Sequence, residues 1–423
     1  MKISIENVGG QFPALERKVF LDAACVSLAP RRAVTAVSDF LQEVMLCPSR
    51  SATLHHLALD SSMEAARLEA ARLIAALPDE VALVESTTHG LSIVARALPM
   101  ESGDNILISD LEFIQVPLPW RQPGDGIRPE IRLVGHRNGE LLPSDFEKRM
   151  DARTRAVVVS SVQWCNGFRI DLDGLAQLCR GRGVLLVVDA VQQLGAFPLD
   201  TRQTPVDIVS CGGHKWLNSP FGTGLLFIRR SLRDRLKSPL SGYLALDPPS
   251  GGWSAHFQNP SASPLTPISF TEGARLFENG GTGNYPGAVG LAASLHLINE
   301  LGTAEIESRI RNLTDHLIRG LKDLSVSMVT PLDPQCRSGI VTFGLEERAR
   351  ELALQEYLLD RNILISLRYT SNVGGLRVSC HFFNDTRHID LLLNAVEDFL
   401  QTGEPRRALV GSPDAPSGRS RSK

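Results

Sequence analysis

The chain has 423 residues and a formal net charge of -3, from 44 Lys and Arg against 47 Asp and Glu. Because a single hydrophobic core rarely grows beyond about 250–300 residues, this length predicts two domains. The balanced charge, without a basic block ahead of the extreme C-terminus, argues against nucleic acid or an anionic membrane as a partner.

Cysteine use and the N-terminal sequence bear on where the protein works. The seven cysteines are scattered and lack CxxC spacing, so neither a disulfide framework nor a zinc site is expected. The N-terminus has no apolar secretion signal, and no window approaches the roughly 18 apolar residues that a membrane span needs. We therefore predict a cytoplasmic protein with no membrane span and no metal site.

Taken in chain order, residues 1–20 are predicted to form an N-terminal arm and residues 21–285 a large domain. In the large domain, short apolar β-rich runs alternate with helical patterns, which is typical of a mostly parallel sheet covered on both faces. The predicted strands are VALVEST, NILISD, RAVVVSSV, VLLVVDA, DIVSC and TGLLFIRR, and the predicted helices include SSMEAARLEAARLIAAL and PSDFEKRMD.

Residues 286–402 are predicted to form a smaller α+β domain. Its strands are expected in SGIVTFGL and GLRVSCHFF, and a helix in HIDLLLNAVEDFLQ. A preceding helical stripe predicts core packing for Ile306, Ile310, Leu313, Leu317, Leu321 and Leu324. Residues 403–423 are rich in Pro, Gly, Ser and Arg, which is typical of a disordered tail.

One lysine lies between two glycine-rich stretches in SCGGHKWLNSPFGTG, directly after a predicted strand. A nucleotide-binding P-loop requires Ser or Thr after the lysine, whereas Trp216 follows Lys215. Asp189 ends the preceding strand, VLLVVDA, and the carboxyl ends of parallel strands line the ligand crevice. An amine and a carboxylate that meet there suit pyridoxal 5'-phosphate, which needs a lysine for its aldehyde and an acid for its pyridine nitrogen. A surface lysine and an aspartate N-cap remain the alternatives.

A possible phosphate site lies in ESTTHGLSIVARAL. The strand ends before Thr87 and Thr88, and an apolar helical pattern follows from Gly90. Free backbone N–H groups and hydroxyls at a helix N-terminus stabilise an anion. A threonine N-cap without any ligand explains the same residues equally well.

The order TTHG, DAVQQLG, GGHKWLNSPFGTG and FENGGTGNYPG resembles the class V aminotransferase group of fold-type I pyridoxal phosphate enzymes. That group includes cysteine desulfurases, kynureninases and isopenicillin N epimerase-like proteins, and the resemblance covers roughly residues 18–400. It implies an α/β large domain with a mostly parallel seven-stranded sheet flanked by helices, plus a smaller α+β domain. It also implies a homodimer whose two active sites are shared between the subunits.

The resemblance also implies roles for individual residues. Lys215 would form the Schiff base, Asp189 would face the pyridine nitrogen, and Gln192 would donate a hydrogen bond to the phenolic oxygen. The other residues that it places around the cofactor are Thr87, Thr88, His89, Phe113 and His214, together with Gly281 and Thr282 from the neighbouring subunit.

Four features depart from the patterns of these relatives. Phe113 stands where desulfurases carry a ring-stacking histidine, and phenylalanine can stack but cannot transfer protons. The segment SLRYTSNVGGLR lacks the nucleophilic cysteine, so persulfide chemistry is not expected. Trp164 replaces an asparagine, as in the kynureninase and epimerase-like branch, and Cys165 beside it is interpreted as a packing residue. Gly212 stands where many relatives keep a phosphate-binding hydroxyl.

Substrate recognition is expected to involve the small domain. Arg377 matches the arginine that holds an amino acid's α-carboxylate in this family, and Arg368 is a second candidate. The segment VFLDAACVSLAP resembles the LDNAA loop on the substrate side, so Ala24 and Ser27 are expected to face the ligand, together with Trp164.

The resulting hypothesis is an enzyme that acts on an α-amino acid, a small-molecule substrate, through an external aldimine and a quinonoid, with Lys215 removing the α-proton. Reprotonation at the cofactor would give transamination, loss of a β-substituent would give a C–S or related lyase, and reprotonation at Cα would give an epimerase. The same residues serve all three reactions. A catalytically inactive binding or scaffold protein is the non-enzyme alternative, which the joint presence of Lys215, Asp189 and Arg377 disfavours.

Overall fold

The computed structural model describes residues 3–121, 127–265 and 267–402 of the chain. The predicted tail, 403–423, lies outside the described residues. The helices are α1 (Arg31–Leu46), α2 (Ala52–Ser61), α3 (Met63–Leu73), α4 (Thr87–Ala97), α5 (Leu118–Arg121), α6 (Pro143–Glu147), α7 (Leu172–Arg182), α8 (Gly252–Gln258), α9 (Tyr285–Leu301), α10 (Thr303–Asp323), α11 (Arg348–Leu359) and α12 (Thr386–Thr402). None of these helices is long and apolar enough to span a membrane.

The strands form a large central sheet and smaller sheets elsewhere. Their bounds are β1 (Val19–Phe20), β2 (Val81–Val84), β3 (Asn105–Ser109), β4 (Glu130–Val134), β5 (Thr154–Ser160), β6 (Leu185–Asp189), β7 (Ile208–Gly212), β8 (Gly224–Ile228), β9 (Ser327–Met328), β10 (Ile340–Gly344), β11 (Ile363–Leu364), β12 (Ser366–Thr370) and β13 (Val373–Ser379).

The central sheet has seven strands in the order β2-β8-β7-β6-β5-β3-β4. All neighbours are parallel except β8, which runs antiparallel to both β2 and β7. The predicted mostly parallel, seven-stranded sheet is therefore confirmed. The sequence patterns located every strand of this sheet except β4, which lies at the sheet edge and buries only Val134 fully. An edge strand of this kind lacks the continuous apolar run of a central strand.

Successive residues of the central strands pack into two different cores. On β5, Val157 and Val159 face the core that contains α3, α7 and α9, whereas Ala156 and Val158 face the core that contains α4 and Trp120. Side chains alternate between the two faces of a strand, so a strand covered on both sides is apolar throughout. This explains why these runs show no polar alternation.

The C-terminal part contains a four-stranded sheet in the order β12-β13-β10-β9, with antiparallel pairing. The predicted apolar stripe on α10 is buried, but its residues pack into two different cores. Ile306 and Ile310 pack with the large-domain core, whereas Leu313, Leu317 and Leu321 pack with the core that contains α11 and α12. Leu324 follows the end of the helix and is partly buried.

Two contacts join segments that are far apart in the chain. Strand β1 pairs in parallel with β11, which joins the N-terminal region to the C-terminal part. Helix α9 begins at Tyr285 and packs against α1 and α3. The domain boundaries after residues 20 and 285 stay predictions. For the site, the important feature is that β6 and β7 are adjacent and parallel, so their carboxyl ends open at the same sheet edge.

Candidate active site at the carboxyl edge of the central sheet

Asp189 and Lys215 meet at the carboxyl ends of β6 and β7. Asp189 is the last residue of β6 and is paired in register with Ser210 of β7, and Lys215 follows β7 within a tight loop. The loop is closed by backbone hydrogen bonds from Gly213 N to Thr223 O and from Ser219 N to Gly213 O. Glycine is needed at position 213 because a Cβ added to Gly213 would lie 2.7 Å from the Cβ of Ser219.

The protein environment shifts the pKa of both groups. Burial lowers the pKa of Lys215 from 10.5 to about 8, with the charge of Asp189 opposing this shift and that of Arg377 adding to it. Burial raises the pKa of Asp189, while hydrogen bonds from Val191 N (2.9 Å) and Gln115 Nε2 (2.8 Å) oppose that rise. Two N–H donors on one carboxyl group favour its ionised form.

The N-terminus of α4 lies beside β7. Ser86 is the N-cap, and its Oγ accepts a hydrogen bond from His89 N at 3.1 Å, so the threonine N-cap that the sequence allowed as an alternative is wrong. Thr87 Oγ1 instead accepts from Gly212 N at 2.8 Å, and Ser210 Oγ donates to Thr87 O at 3.0 Å. These bonds fix the first turn of α4 against the strand that carries Lys215.

The remaining phosphate candidates lie around this first turn. Thr88 Oγ1 donates to Gln115 Oε1 at 3.0 Å, and the Nδ1 of His89 accepts from Glu85 N at 3.3 Å. Burial and the charge of Lys215 lower the pKa of His214 to about 4, so its ring is neutral at pH 7 and retains one N–H donor.

The space beside this turn suits a phosphate group. The first backbone N–H groups of any helix lack helical acceptors and attract anions. A Cβ added at Gly212 would lie 3.2 Å from both Thr87 N and His214 Nδ1, so a side chain there would crowd these two nitrogen atoms. Ser210 does not replace the hydroxyl that many relatives carry at this position, because its Oγ is used by the Thr87 carbonyl.

The aromatic residues predicted around the cofactor ring are brought together. The rings of Phe113 and Trp164 meet edge to face with centroids 5.2 Å apart, and Lys215 Nζ lies 5.8 Å from the Phe113 centroid. Phe113 is 37 % exposed, so part of its ring is accessible to a ligand. The Nε1 of Trp164 is buried without a hydrogen-bond partner among the described residues. Phe113 and Trp164 therefore provide aromatic surface beside the Lys215 amine, against which a planar ring could pack.

Gln192 makes contacts that the sequence did not predict. Its Nε2 donates to Ala24 O at 3.0 Å, and its Oε1 accepts from Trp216 Nε1 at 2.7 Å. The amide retains a second N–H, and its expected bond to the phenolic oxygen stays a prediction. Ser27 lies beside the lysine loop, where its N donates to His214 O at 2.9 Å and its Oγ accepts from Asn218 Nδ2 at 2.8 Å.

Arg377, on β13, is buried. Its Nη1 donates to Trp164 O at 2.9 Å, and its Nη2 contacts Asp22 Oδ1 at 3.2 Å. Its Nε is buried without a partner among the described residues. Arg368, on β12, is half-buried and donates from Nη2 to Cys25 Sγ at 3.5 Å. Thus both predicted substrate arginines contact the segment from Asp22 to Cys25.

Gly281 and Thr282 are not joined to this site by any hydrogen bond within the described parts of the chain. Gly281 N donates to Asn279 Oδ1 at 3.3 Å, and Thr282 is exposed. The same loop is tied to the loop after Lys215 by a bond from Asn284 Nδ2 to Gly222 O at 2.6 Å. The role of these two residues in a neighbouring subunit's phosphate site stays a prediction.

Sequence reasoning missed several side chains of the site. Gln115 bonds Asp189, and Asp22 pairs with Arg377. Glu112 is buried and accepts from Ser160 N at 2.9 Å and Gln163 Nε2 at 3.1 Å, and burial raises its pKa to about 7. Asp22 lies within the recognised VFLDAAC segment, which was a usable signal. Gln115 and Glu112 flank Phe113 without any spacing pattern that points to a partner.

A fold of this topology, with a lysine and an aspartate at the carboxyl edge of β6 and β7, defines a fold-type I pyridoxal phosphate enzyme. The family model "Aminotransferase class-V" matches residues 19–392, and the chain belongs to this family. The predicted family, fold class and cofactor are thereby confirmed, and the protein is a pyridoxal phosphate-dependent enzyme of the transferase or lyase type.

Curated relatives include both desulfurases and an epimerase. The chain is 26% identical to a probable cysteine desulfurase of Pyrococcus abyssi, over 94% of this chain and 98% of that protein. It is 31% identical to isopenicillin N epimerase of Streptomyces clavuligerus, over 80% of this chain and 84% of that protein.

Solved structures share the whole fold. The apo structure of a cysteine desulfurase from Thermococcus onnurineus matches with a TM-score of 0.81 and 24% identity, covering 94% of this chain and 98% of that chain. A cystine C–S lyase in complex with cysteine persulfide matches with a TM-score of 0.80 and 25% identity, covering 92% of this chain and 99% of that chain.

Proposed function

We propose that this enzyme acts on a small α-amino acid, with Lys215 as the residue that binds the cofactor aldehyde and then moves the substrate's α-proton. The observation that carries the proposal is the position of Lys215 beside Asp189 at the carboxyl ends of β6 and β7, where burial lowers the pKa of the lysine to about 8. An amine with this pKa is partly neutral near pH 7, whereas an ordinary lysine is almost fully charged. A neutral amine can act as nucleophile and as base.

Asp189 is proposed to hold the pyridine nitrogen in its protonated form. Bound pyridoxal phosphate supplies an electron-accepting ring, which stabilises negative charge at the substrate α-carbon. The hydrogen bonds from Val191 N and Gln115 Nε2 orient the carboxyl group for this contact and oppose the rise in its pKa that burial causes. Phe113 and Trp164 would pack against the ring, and the first turn of α4 would hold the phosphate.

Arg377 is proposed to bind the substrate's α-carboxylate. Its guanidinium is already oriented by Trp164 O and Asp22, and its unpartnered Nε–H offers a donor in a buried place. A buried donor without a partner is costly, so a bound carboxylate would relieve that cost. Ala24 and Ser27 would shape the wall beside it.

Three reactions are proposed, which differ in what happens to the substrate after proton removal: transamination, β-elimination and epimerisation. Phe113 cannot transfer a proton, and the SLRYTSNVGGLR segment has no cysteine to accept sulfur. A lyase reaction would therefore need a substrate whose leaving group departs without an acid. Epimerisation is proposed because a relative is named isopenicillin N epimerase, and β-elimination because a structural neighbour is named cystine C–S lyase.

A homodimer is proposed as the working form. Helix α1 exposes large apolar side chains, which a second subunit would cover. These are Val34, Leu41, Val44, Met45 and Leu46. The exposed Thr282 would then reach the phosphate site of the partner. The cytoplasmic location stays a prediction from the scattered cysteines.

Borohydride reduction of the cofactor-loaded protein, followed by peptide mapping, tests the central assignment. We expect the label on Lys215 and its loss in Lys215→Ala, while Lys237→Ala, which changes an exposed lysine, keeps the label. Label on another lysine would overturn the proposal. Incubation with an amino-acid panel, with pyruvate, ammonia, pyridoxamine phosphate and inversion measured separately, then distinguishes the three reactions.

A further inference from the structure

Two arginines project from the same face of the small-domain sheet toward the substrate side. In the β12–β13 pair, Ser366 is opposite Arg377 and Arg368 is opposite Gly375. Opposed residues share a face, and so do residues two apart on one strand, so Arg368 and Arg377 are diagonal neighbours on one face. The positive charge of Arg368 accordingly contributes to the lowered pKa of Arg377, after the larger effect of burial.

The acidic residues nearby balance only one of these two charges. Arg377 contacts Asp22, whose other oxygen accepts a bond from Ser366 Oγ. Arg368 has no carboxylate partner anywhere in residues 3–121, 127–265 and 267–402. Its guanidinium donates only to its neighbour's carbonyl, Leu367 O, at 2.9 Å and to Cys25 Sγ at 3.5 Å.

The Arg368 guanidinium lies on the substrate side of the site and not on a remote surface. Its contact residue, Cys25, follows Ala24, whose carbonyl is bonded to Gln192 of the DAVQQLG motif. The sulfur is also near enough to Lys215 and Arg377 to influence the pKa of both. A half-buried guanidinium that lacks a protein anion at this position has the charge and geometry to bind an anion supplied by a ligand.

We infer that Arg368 binds a second anionic group of the substrate, so that the enzyme prefers amino acids with an acidic side chain. This inference rests on the proposed function, in which Arg377 binds the α-carboxylate. The side-chain anion would lie against Arg368 and Cys25, with the amino group directed to Lys215. The two charges of the substrate would then match the two arginines on one sheet face.

The first test compares ligand binding in Arg368→Gln with the wild type, both loaded with cofactor. Aspartate and glutamate are titrated against asparagine and glutamine, which have nearly the same shape, and the change in the cofactor's absorption is the readout. We expect the acidic ligands to bind the wild type more tightly, and the substitution to weaken them about 10- to 100-fold. The neutral ligands should change by less than about 3-fold.

Matched variants distinguish loss of the Arg368 charge from loss of the folded structure. Arg319→Gln removes an exposed arginine from α10 and should leave all four affinities unchanged. Arg368→Lys keeps the charge and should restore part of the acidic preference. Thermal melting of each variant shows that it is folded.

A second test needs no turnover. Succinate has two carboxylates and no amino group, and succinamate has one carboxylate fewer. We expect succinate to slow alkylation of Cys25 by iodoacetamide, followed at the peptide level, in the wild type and not in Arg368→Gln. Succinamate should protect much less in either protein.

The possible results distinguish failure of this inference from failure of the proposed function. If Arg368→Gln weakens acidic and neutral ligands equally, Arg368 contributes to binding of the α-carboxylate, and the inference is wrong while the roles proposed for Lys215 and Asp189 stand. Equal affinities for aspartate and asparagine in the wild type, or equal protection by succinate and succinamate, also overturn the inference. If no amino acid changes the absorption but succinate still protects Cys25, the proposed function fails and the anion site remains.

Discussion

Gln115 Nε2 donates a hydrogen bond of 2.8 Å to Asp189 Oδ2, while its Oε1 accepts one of 3.0 Å from Thr88. A single amide therefore connects the carboxylate expected at the pyridine nitrogen with the helix turn expected at the phosphate. Asp189 is buried, and a buried carboxylate depends on its N–H donors to stay ionised. Gln115 thus holds Oδ2 of Asp189, whereas Val191 N holds Oδ1.

Replacing Gln115 with alanine should weaken cofactor binding about 10-fold, because a hydrogen bond to a charged group is worth roughly 1.5–3 kcal/mol. The dissociation constant of pyridoxal phosphate from the protein, measured by fluorescence quenching, checks this. Gln203→Ala removes an exposed glutamine that bonds Asp200, and it should leave the constant unchanged. An unaltered constant in Gln115→Ala would show that Val191 alone suffices.

Glu112 should make the stability of the protein depend on pH. Burial raises its pKa from 4.5 to about 7, so between these values the folded protein holds a proton that the unfolded chain has released. The free energy of unfolding of the wild type should therefore fall relative to Glu112→Gln as the pH rises from 4.5 to 7, by on the order of 3 kcal/mol.

Urea unfolding of both proteins across this pH range is the measurement. Glu346→Gln, at an exposed position, is the control and should run parallel to the wild type. Parallel curves for Glu112→Gln as well would mean that Glu112 is ionised throughout and held by its bonds from Ser160 and Gln163.

Gly195, the last residue of DAVQQLG, should not tolerate a side chain. Its φ is +93°, and an added Cβ would lie 2.1 Å from the carbonyl oxygen of Trp216, next to the lysine. We expect Gly195→Ala to lower the free energy of unfolding by about 2–4 kcal/mol. Gly181→Ala, on the exposed face of α7 with no atom within 4 Å of the added Cβ, should raise it by about 0.5–1 kcal/mol. Equal effects of the two substitutions in chemical denaturation would contradict this account.

The pH dependence of cofactor loading should report the lowered pKa of Lys215. Because the neutral amine is the form that reacts with an aldehyde, the loading rate of cofactor-free protein should rise as pH increases toward about 8 and then level off. Stopped-flow absorbance from pH 6.5 to 10 checks this. A rate that keeps rising to pH 10 would indicate a lysine near its ordinary pKa of 10.5.

The sequence predicted the central strands well because strands covered on both faces are buried and mostly apolar along their length, as β5 to β8 are. It missed β4, whose edge position leaves polar residues exposed. Among the site residues, Lys215 and Asp189 were found because each follows a recognisable strand. The N-cap was misassigned because Ser86 and Thr87 are both good caps, and only the chain path decides between them.

By itself, the sequence determined the strand and helix order, the family motifs and the positions of the lysine and the acid, since these depend on local periodicity and short spacings. The tertiary structure alone decided which distant side chains meet: Gln115 with Asp189 across 74 residues, Cys25 with Arg368 across 343, and Asp22 with Arg377 across 355. Such contacts depend on how the sheets and loops pack in space, and no local pattern in a single chain encodes that distance.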